Sequence, residues 1–341
     1  MSMTAPVDRL SRPLRDLRIS VTDRCNLRCP YCMPREMFGA DHAFVARDDL
    51  LRFEEITRLV RQFATLGVEK VRLTGGEPLL RRDIERLVAM IAEVDGIEDI
   101  ALTTNGTLLA AKAQALSDAG LRRVTVSLDA LDEEVFRSMS DTRLPLARVL
   151  KGVDAAVAAG LSPVKINMVV RRGVNDHCVL AMAEHFRGRP ETLRFIEYMD
   201  VGTTNGWRLA EVVPAAELRD AIDARWPLEP IVPDRLGEVA TRYRYRDGGG
   251  EVGFIHSVSA PFCASCTRAR LSAEGSLHTC LFATHGHDLR GLLRAGASDA
   301  ELGSEIALIW TARGDRYSAD RAESSAAPRS AKKVEMSYIG G

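Results

Sequence analysis

Three of the seven cysteines stand in one short run, Cys25, Cys29 and Cys32, with the spacing C-x3-C-x2-C. Soft thiolates suit iron–sulfur chemistry, and three of them can hold three corners of a 4Fe–4S cube. The fourth iron is then left without a protein ligand. An open iron can bind a small molecule and pass it an electron, whereas a cluster meant only for electron transfer has every corner filled by protein. Structural zinc favours paired C-x2-C units with four ligands, and this run has no fourth nearby. A disulfide framework fits less well, because nothing marks the chain as secreted.

A second trio, Cys263, Cys266 and Cys280, is spaced C-x2-C-x13-C. That spacing serves zinc and iron–sulfur equally, and His256, His278, His285 and His287 are near enough in sequence to complete a zinc site. Arg268 and Arg270 alternate just beyond Cys266 on a β-like segment, so both point to one side. Two guanidiniums on one face suit a polyanion close to the metal; solvated charge is the plainer account. Lys165 lies inside an apolar strand, where a lone ammonium is costly. An anionic ligand at the strand end answers that cost, and so does a buried carboxylate partner. Gly75-Gly76-Glu77-Pro78 follows another strand. Alone it reads as an ordinary turn. Beside an open cluster, backbone without side chains can approach a ligand closely and offer carbonyl acceptors to an ammonium. Cys178 falls on a helical stretch and reads as an inert core thiol.

These residues need a frame to bring them together. β-rich runs are expected at Leu17 to Thr22, Lys70 to Leu73, Ile100 to Thr103, Arg123 to Leu128, Val164 to Val170 and Thr192 to Tyr198. Helical spacing falls between them, at Phe53 to Leu66, Asp83 to Val94, Leu108 to Ala119, two stretches up to Gly160, and Cys178 to Arg187. Strand–helix alternation implies right-handed βαβ units and a parallel sheet. Each strand's C-terminal end carries polar or Gly-rich residues, where (β/α) barrels place their chemistry. Six units are too few for a closed eight-fold barrel. The expected fold is therefore α/β, a partial (β/α)6 TIM-like barrel; a doubly wound open sheet is the alternative. After about Gly206 prolines, glycines and short alternating runs (Thr241 to Tyr245, Val252 to Ile255) suggest a small domain with β-hairpins. The expected division is residues 1–210 for the barrel and 211–330 for a small C-terminal α+β domain carrying the second metal group. A tail, 331–341, ends in Gly340-Gly341. The stretch from Arg321 to Lys333 reads as a mobile approach to it.

Composition narrows the class. A chain of 341 residues, 46% hydrophobic and 27% charged, can bury a substantial core. A net charge of −1 makes no case for nucleic acid or a membrane surface. No long uncharged apolar run spans a bilayer, and Met1 to Arg18 lacks the apolar region of a signal peptide. Reduced cysteines and a cytoplasmic location are expected.

C-x3-C-x-aromatic-C, with Tyr31 as the aromatic residue, resembles the signature of the radical S-adenosylmethionine (SAM) enzymes. The resemblance implies that SAM chelates the open iron through its amino and carboxylate groups, and that a cluster electron releases a 5′-deoxyadenosyl radical. In that family the GGEP run holds the SAM amino group, which implies Gly76 as a contact. Tyr31 matches the position that presents backbone to adenine, and Ser127 and Met199 match further SAM contacts.

The two trios and the arginine pair narrow the resemblance to the GTP 3′,8-cyclases, which begin molybdenum cofactor biosynthesis. It covers nearly the whole chain, through Arg18-Ile-Ser-Val-Thr-Asp, GGEP, Thr-Thr-Asn-Gly, Val-Ser-Leu-Asp, Lys165-Ile-Asn-Met, Ile-Glu-Tyr-Met199 and the Gly-Gly end. It implies a second 4Fe–4S cluster, also with an open iron, that binds guanine. Arg18, Arg72, Thr103, Lys165, Arg268, Ala269 and Arg270 match GTP-binding positions. The implied reaction takes the ribose 3′ hydrogen, joins C3′ to guanine C8 and yields 3′,8-cyclo-7,8-dihydro-GTP. Arg268, Arg270, Gly340 and Gly341 are the implied catalytic residues. Implied partners are the downstream cyclic pyranopterin monophosphate synthase, a flavodoxin or ferredoxin electron donor and a second copy in a homodimer. Two other readings stay open: a peptide-modifying radical SAM maturase, and an iron–sulfur or zinc protein without catalysis.

Overall fold

In the computed structural model the described residues are 5–235, 237–323 and 333–340. The six expected strands are β1 (Asp16–Ser20), β2 (Lys70–Thr74), β3 (Asp99–Thr104), β4 (Arg123–Ser127), β5 (Val164–Val170) and β6 (Thr192–Glu197). They lie side by side in chain order, every pair parallel. The connecting helices are α1 (Phe53–Thr65), α2 (Ile84–Ala92), α3 (Ala113–Asp118), α4 (Glu133–Ser140), α5 (Leu146–Ala158) and α6 (Val179–Phe186). The helix expected from Leu108 divides into a 3-10 turn, Leu109–Ala111, and α3, with Lys112 between them.

Side chains alternate across a strand, so each strand serves two faces. One face carries Leu17, Ile19, Val71, Leu73, Val124, Val126, Ile166 and Met168, all buried in the core. The helices complete that core. α1 offers Ile56, Leu59, Val60 and Phe63 along one buried stripe. It begins at a capping box in which the Glu55 side chain accepts from the Arg52 amide at 2.7 Å. The Asp132 side chain caps α4, accepting from the Glu134 and Val135 amides at 2.9 Å. The opposite face is polar and carries the site.

Beyond Gly206 the chain adds α7 (Ala215–Asp223), then β7 (Leu228–Ile231), β8 (Thr241–Tyr245) and β9 (Glu251–Ile255). Next come β10 (Arg268–Leu271), β11 (Ser276–His278) and β12 (His287–Asp288). Four helices follow: α8 (Leu289–Arg294), α9 (Asp299–Thr311), α10 (Tyr317–Glu323) and α11 (Met336–Ile339). The expected hairpins are present, and they extend the same sheet. β9 pairs parallel with β6 and β10 parallel with β1. The result is one 12-stranded sheet in the order β12-β11-β10-β1-β2-β3-β4-β5-β6-β9-β8-β7. The C-terminal part thus frames both edges of the six-strand parallel unit. No helix among the described residues is long and apolar enough to cross a membrane.

Candidate active site

Register builds the site. Arg270, Arg18 and Arg72 stand side by side across β10, β1 and β2. Thr103, Thr125 and Lys165 do the same across β3, β4 and β5. With Arg268, Lys70, Arg123 and Arg194 they line one cavity of about 1250 Å³. Both cysteine trios open on it: Cys25, Cys29 and Cys32 in the loop after β1, Cys263 and Cys266 just before β10, and Cys280 just after β11. Ala269 points the other way, into the core, so its side chain does not reach the cavity.

The first trio is held by the strand-end motifs. The Gly76 amide donates to the Thr22 carbonyl, and the Glu77 amide to the Arg24 carbonyl, each at 2.8 Å. A Cβ at Gly75 or Gly76 would overlap the Thr22 or Arg24 carbonyl. The glycines are therefore required by close approach to the cysteine loop itself. The buried Glu77 side chain accepts from Thr104 Oγ1 and the Asn105 amide at 2.7 Å and from the Leu79 amide at 3.0 Å. Burial pushes its carboxyl up to about 7 even against those hydrogen bonds. Asn105 in turn places Nδ2 3.8 Å from Cys25 Sγ. Tyr31 donates its hydroxyl to Asp129 at 2.8 Å, and Asp129 also accepts from the Val169 amide at 2.9 Å. Ser127 and Met199 line the cavity, and the Met199 carbonyl accepts from Asn205 Nδ2 at 3.0 Å.

The cationic lining is short of counter-charge. Among the described residues, Arg18, Arg72, Lys165, Arg194, Arg268 and Arg270 have no ion-pair partner, and the pair that Lys70 makes is with Asp16 at 3.1 Å. Among the described residues no carboxylate pairs with Lys165, as the plainer account of it would require. Burial, reinforced by Arg194, Arg123, Arg72 and Lys70, lowers its amine to about 7. Arg72 donates to Thr103 Oγ1 at 3.1 Å and Thr125 Oγ1 at 3.2 Å, and Arg194 to Asn167 Oδ1 at 2.9 Å. Arg18 Nε is buried without a hydrogen-bond partner among the described residues. Arg268 lies over the Phe262 ring at 5.0 Å and donates to the Gly237 carbonyl at 3.2 Å.

The C-terminal tail returns to this lining. Arg270 Nη1 donates to the Gly340 carbonyl at 2.7 Å. Gly340 has φ +73°, and a Cβ there would overlap Thr74 Cγ2. Glu335 anchors the tail, accepting from the Thr203 amide, Thr203 Oγ1 and Thr204 Oγ1, each at 2.9 Å. Asp200 binds Lys333 at 2.8 Å, Tyr317 at 2.7 Å and Arg321. The expected mobile stretch is therefore tied at both ends, while 324–332 and Gly341 lie outside the described residues.

All six cysteines line the cavity and are the soft donors that iron–sulfur clusters would take. The three sulfurs of the first trio lie close enough to influence one another, as do those of Cys266 and Cys280. Among the described residues no three His, Cys, Asp or Glu converge on a single-ion site. His278, one of the zinc candidates, has its Nδ1 3.1 Å from the His285 carbonyl. Burial pushes Cys25 up to about 11 and Cys32 up to about 12. At Cys266 the same burial is outweighed by Arg268 and Arg313, which bring the thiol to about 7.

Lys70, Arg123, Thr125, Asn105, Asp129 and Arg194 belong to the cavity and were not singled out from the sequence. Alternation held the signal: Lys70 is two residues from Arg72, and Thr125 two from Ser127.

Residues 19–186 match the family model of the radical SAM superfamily, and residues 191–319 match that of Molybdenum Cofactor Synthesis C. Among solved structures, Streptococcus suis SuiB bound to S-adenosylmethionine aligns with a TM-score of 0.61 at 16% identity, covering 91% of this chain and 68% of that one. At that identity the likeness speaks for the fold alone. Fold, cysteine signature and family model together make this chain a radical SAM enzyme.

Its relatives narrow the class. The GTP 3′,8-cyclase of Acidothermus cellulolyticus is 56% identical over 362 residues, covering 99% of this chain and 100% of the relative. That of Xanthomonas axonopodis pv. citri is 54% identical over 340 residues, covering 99% and 100%. That of Staphylococcus haemolyticus is 48% identical over 335 residues, covering 98% of each. The chain belongs to the GTP 3′,8-cyclase family.

Proposed function

We propose that this chain cyclises GTP to 3′,8-cyclo-7,8-dihydro-GTP, the first step of molybdenum cofactor biosynthesis, with SAM and two 4Fe–4S clusters. The observation that carries this reading is the cationic wall between two cysteine trios, where six side chains have no ion-pair partner among the described residues. Buried cations without counter-charge are costly, and a triphosphate supplies what they lack. Arginine forks match phosphate oxygens, and Lys165 adds a point charge.

When bound, SAM on the first cluster supplies a 5′-deoxyadenosyl radical. Cys25, Cys29 and Cys32 hold that cluster; Tyr31, Gly76, Ser127 and Met199 contact SAM. Cys263, Cys266 and Cys280 would hold the second cluster, whose open iron would serve to bind guanine. Arg18, Arg72, Thr103, Lys165, Arg268, Ala269 (through its backbone) and Arg270 bind GTP, joined by Lys70 and Arg194. The chain's work is to place ribose C3′ within reach of the radical and to exclude water. Loss of the 3′ hydrogen lets C3′ bond to guanine C8. The closed ring then takes up one electron and one proton, so the product is an isomer of GTP. Arg268 and Arg270 stabilise the base during that step, and Gly340 and Gly341 assist it.

On this reading the six-strand unit, 1–210, is a partial (β/α)6 barrel. Residues 211–330 form the second-cluster unit and 331–341 the catalytic tail. The enzyme works as a cytoplasmic homodimer, draws its electron from a flavodoxin or ferredoxin and hands its product to a cyclic pyranopterin monophosphate synthase.

Anaerobic reconstitution followed by SAM, reductant and GTP tests the reading. Cyclised nucleotide is the expected product. 5′-Deoxyadenosine without GTP turnover would instead indicate a peptide-modifying enzyme, and neither product a non-catalytic protein.

A further inference from the structure

The two trios stand in different electrostatic surroundings. The first has acidic neighbours, Glu77 for Cys25, Asp129 for Cys29, and Glu335 and Asp129 for Cys32; Arg28 donates to the Cys25 carbonyl at 2.7 Å, but among the described residues no guanidinium donates to a sulfur of this trio. Behind the second lies a buried ion cluster, of which Arg12 and Arg313 also reach the cavity lining. Asp8, Arg12 and Arg313 are 5%, 2% and 4% exposed. Arg12 Nε donates to Asp8 Oδ2 at 2.6 Å, and Arg313 Nη1 reaches the same oxygen at 3.2 Å. Both guanidiniums then turn to the cysteines. Arg12 Nη1 donates to the Cys263 carbonyl and Arg313 Nη1 to the Cys266 carbonyl, each at 2.8 Å. Arg313 Nη2 donates to the Cys266 sulfur itself at 3.2 Å. The Trp310 ring lies 4.5 Å from the Arg313 guanidinium and fixes its plane, and the more exposed Asp315 stands 3.7 Å from Arg313 Nε.

Bracing a loop does not require buried charge; apolar residues of similar volume do it at lower cost. A donor aimed at a ligand sulfur has a different use. Hydrogen bonds to cluster sulfurs and net charge nearby set reduction potentials. We propose that Arg313, oriented by Asp8, is a positioning residue for the second cluster: it donates to the Cys266 thiolate and shifts that cluster toward its reduced form. This rests on the reading of Cys263, Cys266 and Cys280 as cluster ligands. Asp8 acts in two ways, orienting the guanidinium and offsetting its charge.

The test is an EPR-monitored redox titration of anaerobically purified holoenzyme. The signal perturbed by SAM is assigned to the first cluster and that perturbed by GTP to the second. In Arg313→Met the reduction equilibrium of the second cluster should fall by roughly tenfold, the scale of one charge-assisted hydrogen bond. For one electron that is a midpoint about 59 mV lower. The first midpoint and the iron content should not change. Arg313→Lys should recover part of the shift. Asp8→Asn keeps an acceptor while removing the counter-charge, so its second midpoint should rise. Opposite signs distinguish tuning from bracing. Unchanged midpoints at full iron content overturn the proposal, and so does loss of the second cluster's iron from both variants. Zinc at the trio in the unsubstituted protein overturns the cluster reading itself, and this inference with it.

Discussion

Gly340→Ala is the most informative single substitution. The residue has φ +73°, a region that a side chain occupies at a cost of about 1–3 kcal/mol. The added Cβ would also overlap Thr74 Cγ2. The last residues are held by the bond from Arg270 to the Gly340 carbonyl at 2.7 Å, a charge-assisted contact worth about 1.5–3 kcal/mol, while buried Ile339 and the Glu335 contacts seat the residues before them. Strain and this bond are of the same size, so in the variant the end at residue 340 should leave Arg270 while Ile339 and Glu335 stay seated. Strain alone corresponds to a fall of about 5-fold to about 150-fold in the docked fraction. Cyclised nucleotide should fall by at least that much, with iron content unchanged. Thr74→Ser in the same chain removes Cγ2 and should restore part of the loss, because it relieves the overlap and leaves the strain. The assay is chromatographic quantification of cyclised nucleotide and 5′-deoxyadenosine under anaerobic turnover. Full cyclisation by Gly340→Ala, or no gain from Thr74→Ser, would refute the reasoning.

Other expectations follow from the same wall. The Lys165 amine, lowered to about 7 by burial and then by its cationic neighbours, is charged below that pH and neutral above it. GTP affinity should therefore weaken as pH rises from about 6 to about 9, and Lys165→Met should flatten the profile; a flat profile in the unsubstituted protein contradicts this. Arg270→Ala removes a fork from the cavity and the hold on Gly340, and should reduce GTP affinity or turnover by about 10-fold to about 150-fold while sparing iron. Loss of the second cluster with normal GTP binding would assign Arg270 a structural role. Glu335→Ala removes three acceptor contacts from the tail anchor and should lower cyclisation with both clusters intact, whereas Glu335→Gln should retain much of it. Equal activity of the two variants would argue against an anchoring role.

The parallel unit was legible because its signals are local. β5 reads Val-Lys-Ile-Asn-Met-Val-Val, and its alternation separates Lys165 and Asn167 from Ile166 and Met168 without any tertiary information. The GGEP run was legible as a special place, but half of its reason was not. The overlap that excludes a side chain at Gly76 is with Arg24, and only the fold brings that carbonyl so near. The sheet edges were not legible. β9 and β10 join β6 and β1 through pairing across long sequence separations, which no local pattern encodes. α9 was missed because apolar residues lie on more than one side of it: Leu302, Ile306 and Trp310 are buried while Leu308 is exposed. Arg313 lies 47 residues from Cys266, and in an arginine-rich chain nothing in the sequence sets it apart.

Metal and sulfide analysis of anaerobically purified protein bears most directly on the central claim, two iron–sulfur cubes each held by three cysteines. About eight irons per chain are expected, falling to about four when Cys263, Cys266 and Cys280 are replaced together or when Cys25, Cys29 and Cys32 are. Zinc in place of iron at the later trio, or an iron count that does not respond to replacing either trio, would contradict it.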